Sequence, residues 1–314
     1  MESIRLSFEA VTPIFVLMMI GYLIKNIGLA DKKNFDVINK LVFRIFLPIM
    51  LFYNIYSAKS VQVFDGKLIL FTVAGVLGVF ILGYGFVVLI TKDNSKRGVI
   101  LQSLFRANFA ILGIPLVNYI CGEGAGALSA LMMAIIIPLF NILGVFALKR
   151  FADNDEKIHI LSLLKGVITN PLIIGCLVGI AFFLLDIKLP VVIEKPVQDI
   201  AVMTSPLSII VLGSEFAFGD MKGYAKDLII AVFTRLVVVP LIVLSFAIWL
   251  GFSGEALACI LVAFGAPVAI SSFAMVQQMG GDEKLAAQII VVSSGACLVT
   301  LFGWIFVLNY LHLF

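Results

Sequence analysis

Charge is scarce in this chain. Asp, Glu, Lys and Arg make up only 13% of its 314 residues, about half the share of a soluble domain. A water-soluble core with a polar shell is excluded, and so is disorder, which needs high charge and low hydrophobicity. The 22 basic residues barely exceed the 19 acidic ones, so no basic surface for nucleic acid is expected. Histidine is rarer still: His159 and His312 stand far apart with no ligand spacing around them. The four cysteines, Cys121, Cys176, Cys259 and Cys297, show no CxxC pattern and read as small buried hydrophobes. No HExxH, GxSxG or paired-aspartate motif occurs, so neither an enzyme nor a metal or cofactor site is expected. The first apolar run follows a single early base, Arg5, and has no A-x-A-like cleavage site. It reads as a span rather than a removable signal.

Apolar residues fill the space that charge leaves. They make up 62% of the chain, and the mean hydropathy is +1.15. A spanning helix needs about 20 such residues, so the chain holds roughly ten spans and no soluble domain. Charge-free runs place the spans near 9–27, 37–57, 67–91, 98–120, 125–148, 162–185, 197–217, 227–251, 255–278 and 285–312. They are apolar on every side and show no ten-residue alternation, so helices rather than a barrel are expected. The expected class is an all-α polytopic membrane protein.

Loop charge sets the orientation. The loops after spans 1, 3, 5, 7 and 9 carry fourteen Lys and Arg, and the opposite side carries five. The richer side is expected to be cytoplasmic in a plasma (inner) membrane, with both termini extracytoplasmic. A polar stretch at 149–161 separates residues 1–148 from residues 162–314, with five spans on each side. An odd number of spans inverts the second half, which is the layout of inverted-repeat transporters. Pro13 and Pro171 open spans 1 and 6, Pro48 and Pro206 lie in spans 2 and 7, and both pairs are 158 residues apart.

Spans 4 and 9 each place Gly and Pro in mid-membrane, in RANFAILGIPLVNYI and LVAFGAPVAISSFAMVQQ. Proline removes a backbone donor, and matched broken helices in two halves point to a transport site. A broken helix offers free amides and the positive end of its dipole to an anion. The expected binding set is therefore Asn108, Gly113, Pro115, Gly265, Pro267, Ser271 and Ser272, with interhelical hydrogen bonding as the structural alternative for the polar members. Arg106 sits about nine residues into span 4, where a cation is costly. It reads either as an anion-attracting base or as a partner of Glu215 or the interface. Arg235 is similarly placed in span 8, and with Glu215 it is a candidate for coupling or gating. Arg44, nearer a span end, reads as a snorkelling base.

At these residues the sequence resembles the auxin efflux carrier family over nearly its whole length. The resemblance rests on NKLVFRIFLPIMLF in span 2, ANFAILGIPL in span 4, NPLIIG in span 6 and SPLSIIVLGSEF in span 7. RLVVVPLIVL in span 8 and MVQQMGGDEKLAAQIIVVSSGACLVTL before and in span 10 extend it. It implies ten helices in two inverted repeats, spans 4 and 9 crossing at Pro115 and Pro267, and a fold similar to sodium-coupled bile acid symporters. It also implies secondary transport of organic anions: auxin in plants, and malate, malonate and related carboxylates in bacterial members. The chain departs from the pattern at Ala107, at Glu215, and after Pro267, where Ser271 and Ser272 replace an expected asparagine. The expected partners are a small organic anion and the lipid bilayer, and a homodimer is compatible with this reading. The alternatives are a sodium-coupled symporter of larger anions and a non-transporting membrane sensor.

Overall fold

Aspartates set where several of the helices begin. In the computed structural model, which describes residues 13, 16–57, 65–109, 116–118, 120–122, 125–152, 169–215 and 221–314, Asp31, Asp65, Asp93 and Asp282 each accept a hydrogen bond from an amide of the helix they precede, at 2.9–3.0 Å. Such a cap is worth about 1 kcal/mol. Asn170 does the same for the amide of Leu172 at 2.9 Å, with Pro171 in the first helical turn, where its missing N–H costs nothing.

The helices in chain order are α1 (Val16–Asn26); α2 (Lys32–Leu41, a π-helical turn Val42–Phe46, then Leu47–Tyr56); α3 (Gly66–Ile90); α4 (Asn94–Phe105); α5 (Gly126–Phe151); α6 (Pro171–Leu184); and α7 (Val191–Glu215). They continue with α8 (Met221–Phe233, a π-helical turn Thr234–Val238, then Val239–Trp249); α9 (Gly254–Gly265); α10 (Ser271–Met279); and α11 (Glu283–Tyr310). Among the described residues there is no strand, only one isolated β-bridge. The expected all-helical membrane class therefore holds.

Among the described residues, five helices are long and apolar enough to cross a bilayer: Gly66–Ile90, Leu131–Phe151, Val191–Ser214, Gly223–Trp249 and Glu283–Tyr310. The sequence reading expects ten spans, and the difference has physical causes. Spans 4 and 9 are interrupted, so α4, α9 and α10 are each too short alone. The helix of span 2, α2, runs on through its π turn, as α8 does, but its N-terminal half carries Lys32, Lys33, Asp36, Lys40 and Arg44 and so is less apolar. Parts of spans 1, 4 and 6 and most of the 149–161 linker lie outside the described residues.

The long helices present apolar side chains outward. Leu82 and Leu89 of α3 are 75% and 86% exposed, as a lipid-facing surface requires. Trp249 and Tyr310 end α8 and α11 at one end of the molecule, where aromatic residues meet the headgroups; Gly254 N–H donating to Leu313 C=O joins α9 to that same end. The opposite end gathers Lys96, Asp227 and Asp282, with Lys96 Nζ 2.8 Å from Asp227 and Asp282 N–H donating to Ser95 C=O. The Asp227 hydrogen bond holds the Lys96 ammonium above its usual range. α4 runs inward from this end and α9 runs inward from the other. At 1.5 Å per residue each twelve-residue helix covers about 18 Å, so they meet near the middle.

Two helix contacts leave no room for a side chain. A Cβ on Gly21 of α1 would lie 1.9 Å from the carbonyl oxygen of Ile210 in α7. One on Gly179 of α6 would lie 2.9 Å from that of Phe52 in α2. Gly21 and Gly179 are 158 residues apart, and so are Phe52 and Ile210, the same separation as the two proline pairs. Gly175 and Gly179 form a GxxxG face, and Gly175 meets Pro48 of α2. Such faces let backbones approach closely where no hydrophobic force between helices exists.

Candidate functional site

α9 ends for a reason written in its sequence. Pro267 cannot donate to Ala263, and it forces the preceding residue out of helical geometry. Ala266 is extended (φ −68°, ψ 155°). The end of α4 has no such local cause, because no proline follows Phe105 until Pro115. Arg106 nevertheless turns extended (φ −90°, ψ 98°), because the chain finds other partners. Asn108 N–H donates to Pro267 C=O at 2.8 Å, and Ala269 N–H donates to Arg106 C=O at 3.1 Å. These two bonds make Ala107 and Val268 an antiparallel bridge. Among the described residues, the two interrupted helices therefore meet at Pro267 in one and at Ala107 in the other. Gly113 and Pro115 lie outside the described residues. Gly265 is the last residue of α9; a Cβ there would meet Leu261 Cδ1 at 3.1 Å.

A cavity of about 50 Å³ opens beside the crossing. By volume that is room for about three to five waters. Arg106, Asn108, Ile270 and Ser271 form one wall, with Asn141 of α5 beside them; Leu47, Met50 and Leu51 of α2 and Ile137 and Phe140 of α5 supply the apolar remainder. Ser205 and Ser208 of α7, with Ala107 and Ala269 at the crossing, complete the lining.

Arg106 dominates the electrostatics of this cavity. It is 3% exposed, so it does not snorkel. Its Nη2 donates to Asn141 Oδ1 at 2.7 Å and to Ser271 Oγ at 3.0 Å, and its Nη1 points at Met275 Sδ. All three partners are neutral. No carboxylate pairs with Arg106 among the described residues; Glu215 is the last residue of α7, and its side chain lies outside the described set. Asn108 is 4% exposed, and its Nδ2 donor has no partner among the described residues. The amides of Ile270 and Ser271, at the start of α10, have no backbone partner there either. A buried cation, an unused amide donor and a helix N-terminus thus converge on one space, which is the chemistry of an anion site.

A family model described as "Membrane transport protein" matches residues 6–305. The chain belongs to that family, the auxin efflux carriers. It is 24% identical over 311 residues to an uncharacterized transporter of Methanocaldococcus jannaschii, covering 95% of this chain and 98% of the relative. An uncharacterized transporter of Methanothermobacter thermautotrophicus is 23% identical over 310 residues, covering 96% and 98%.

In this carrier the second buried arginine has a different occupation. Arg235 is fully buried. Its Nη1 donates to Leu104 C=O at 3.0 Å, its Nη2 to Ala263 C=O at 3.2 Å and Ala266 C=O at 2.9 Å, and its Nε to Ala266 C=O at 3.1 Å. It therefore caps the C-terminal ends of both α4 and α9. Ala263 C=O is the acceptor that Pro267 leaves without a donor, and Leu104 C=O is the one that Asn108 abandons for Pro267. Each helix C-terminus carries about −0.5 charge, so the two together offset the guanidinium. The same device recurs in α8, where Pro240 frees Leu236 C=O and Trp304 Nε1 donates to it at 3.0 Å.

Of the residues expected in the site, the carrier brings together Arg106, Asn108, Pro267 and Ser271. Ser272 is buried with its Oγ unpartnered among the described residues, but it does not line the cavity. Arg44 is exposed at the surface of α2, as a snorkelling base would be. Asn141, Ser205 and Ser208 were missed by sequence reasoning. Asn141 left a trace, a lone asparagine in the otherwise apolar run IIIPLFNILGV.

Proposed function

We propose that this carrier is a secondary transporter of small organic anions, mono- or dicarboxylates such as malate, working by alternating access around the crossing. The observation that carries the reading is Arg106, a buried cation whose described partners are all neutral, facing a cavity with the unpartnered Asn108 Nδ2. A central arginine costs about 2.5–3.5 kcal/mol on the insertion scale, and a carboxylate arriving at it removes that cost. Asn108, Ser271 and the first amides of α10 supply the remaining donors, and Gly265 and Pro267 shape the break that frees them. The cavity admits a carboxylate group, and a whole substrate requires it to widen.

The architecture belongs to the same proposal: ten spans in two inverted repeats, 1–148 and 162–314, joined by the 149–161 linker. The 158-residue spacing supports it, because it relates not only prolines but a packing contact, Gly21 on Ile210 and Gly179 on Phe52. So do the reciprocal hydrogen bonds at the crossing. α1, α2, α6 and α7 meet through the tightest backbone contacts, and Arg235 ties α4, α8 and α9 together. Alternating access then moves one set against the other, with the cavity lying between them. Positive-loop bias favours cytoplasmic Lys96 and Asp227 in the inner membrane, with extracytoplasmic termini.

The test is uptake of labelled malate by purified protein in liposomes, with malonate, citrate and an indole carboxylate as competitors. pH, sodium and potential gradients are imposed in turn. Saturable uptake blocked by a competing acid is expected. No uptake of any acid under any gradient, from folded protein, overturns the reading.

A further inference from the structure

The charge inventory of the crossing bears on how the carrier resets. Two arginines are buried there. Arg235 has three carbonyl partners and two helix C-termini, whose partial charges of about −0.5 each sum to the opposite of its own. Among the described residues, Arg106 has no such compensation. Asn141 faces it from α5, Ser271 and Met275 from α10, and Cys176 of α6 lies behind Asn141 at 3.7 Å from its Nδ2. α2 and α7 contribute only Leu47, Met50, Leu51, Ser205 and Ser208 to the cavity. None of these groups is negative, and the start of α10 adds positive potential. The empty site is therefore cationic and becomes neutral or nearly so only when an anion enters.

We propose that the carrier is an anion exchanger, in which the loaded form crosses between its two orientations far faster than the empty form. The inference rests on the transport reading above. Alternating access requires the site to pass through a state closed to water on both sides. With an anion on Arg106, the charge pair crosses that state together. Without one, a lone guanidinium must be held there away from water, and its three neutral partners replace hydration only in part. Net flux needs the empty carrier to return, whereas exchange does not. Arg106 thus acts as an interlock: one anion enters only as another leaves.

Liposomes containing the purified protein separate the two modes. Labelled malate uptake is measured into vesicles preloaded with unlabelled malate and into vesicles without it, with a potassium diffusion potential clamped to zero. Exchange is expected to exceed net uptake at least about tenfold, a difference of about 1.4 kcal/mol in barrier. In Arg106→Gln the ratio is expected to fall towards one, because the neutral site no longer penalises the empty crossing. Arg106→Lys, which keeps the charge, is expected to retain the preference for exchange. Equal rates in preloaded and empty vesicles for the unsubstituted protein overturn the exchange inference and leave the transport reading standing. Uptake in neither mode overturns both. If Arg106→Gln does not fold, the ratio measured on the unsubstituted protein decides alone.

Discussion

Replacing Arg235 by Gln should destabilise the carrier more than most substitutions, for reasons that can be counted. Four hydrogen bonds to three carbonyls, Leu104, Ala263 and Ala266, are lost together. All three belong to buried residues at the ends of broken helices, where no amide remains to take them. Leaving a buried acceptor unsatisfied costs about 1–3 kcal/mol. The Gln amide has two N–H donors and can recover one or two carbonyls, so one or two are stranded, for about 1–6 kcal/mol. The compensation of two helix C-termini is lost as well, and that pushes the effect towards the upper part of the range. Natural domains are stable by only about 5–15 kcal/mol, so the variant should be marginal. The assay is denaturant unfolding in detergent followed by tryptophan fluorescence. Trp304 is well placed to report, because its indole donates to Leu236, the neighbour of Arg235. Arg44→Gln, at an exposed position on α2, is the control and should change stability by less than about 0.5 kcal/mol. A loss below about 1 kcal/mol for Arg235→Gln would refute the capping role.

Other predictions follow from the same contacts. Asn141→Asp places a carboxylate where Arg106 already donates at 2.7 Å; it should raise the unfolding temperature and abolish anion uptake, since the internal pair replaces the substrate. Gly21→Ala and Gly179→Ala drive a methyl into the carbonyls of Ile210 and Phe52 and should each cost about 1–3 kcal/mol. Gly78→Ala and Gly85→Ala in α3 meet nothing within 4 Å and should be neutral or stabilising by up to about 1 kcal/mol in the same unfolding assay. The Ser95 hydroxyl holds the Asp93 carboxyl below its usual range. Because the folded value is depressed, the stability from this cap is fully present above the ordinary carboxylate range and is lost as pH falls through the folded value. Amide exchange at the start of α4, compared between pH 6 and pH 3, should therefore show the first turn opening at low pH, and Asp93→Ala should remove that difference.

The class and much of the layout were legible in sequence because they follow from local chemistry. Apolar runs mark helices, and Pro267 dictates both the end of α9 and the extended Ala266. Arg106, Asn108 and Ser271 stood out because polar groups in apolar runs need partners. The break after Phe105 was not legible at its true position. Nothing in QSLFRANF ends a helix locally; the amide of Asn108 leaves its own helix for the carbonyl of Pro267, some 160 residues away. Pro115, the sequence counterpart of Pro267, lies outside the described residues, and among those described it is Asn108 that faces Pro267. The division of labour between the arginines was equally hidden. Arg106 and Arg235 lie at similar depths in their spans, and only the fold turns one towards carbonyls and the other towards a cavity. Asn141 was readable as an isolated polar residue, whereas its role as the acceptor for Arg106 depends on how α5 packs on the crossing.

The most direct test of the central claim is the concentration dependence of malate uptake by Arg106→Gln, against the unsubstituted carrier in matched liposomes, with correct folding verified for both. A hydrogen bond to a charged group is worth about 1.5–3 kcal/mol. The expected result is therefore a loss of about 10- to 150-fold in transport efficiency, carried mainly by a higher half-saturating concentration. Unchanged half-saturation and rate in the folded variant would contradict the assignment of this cavity as the anion site.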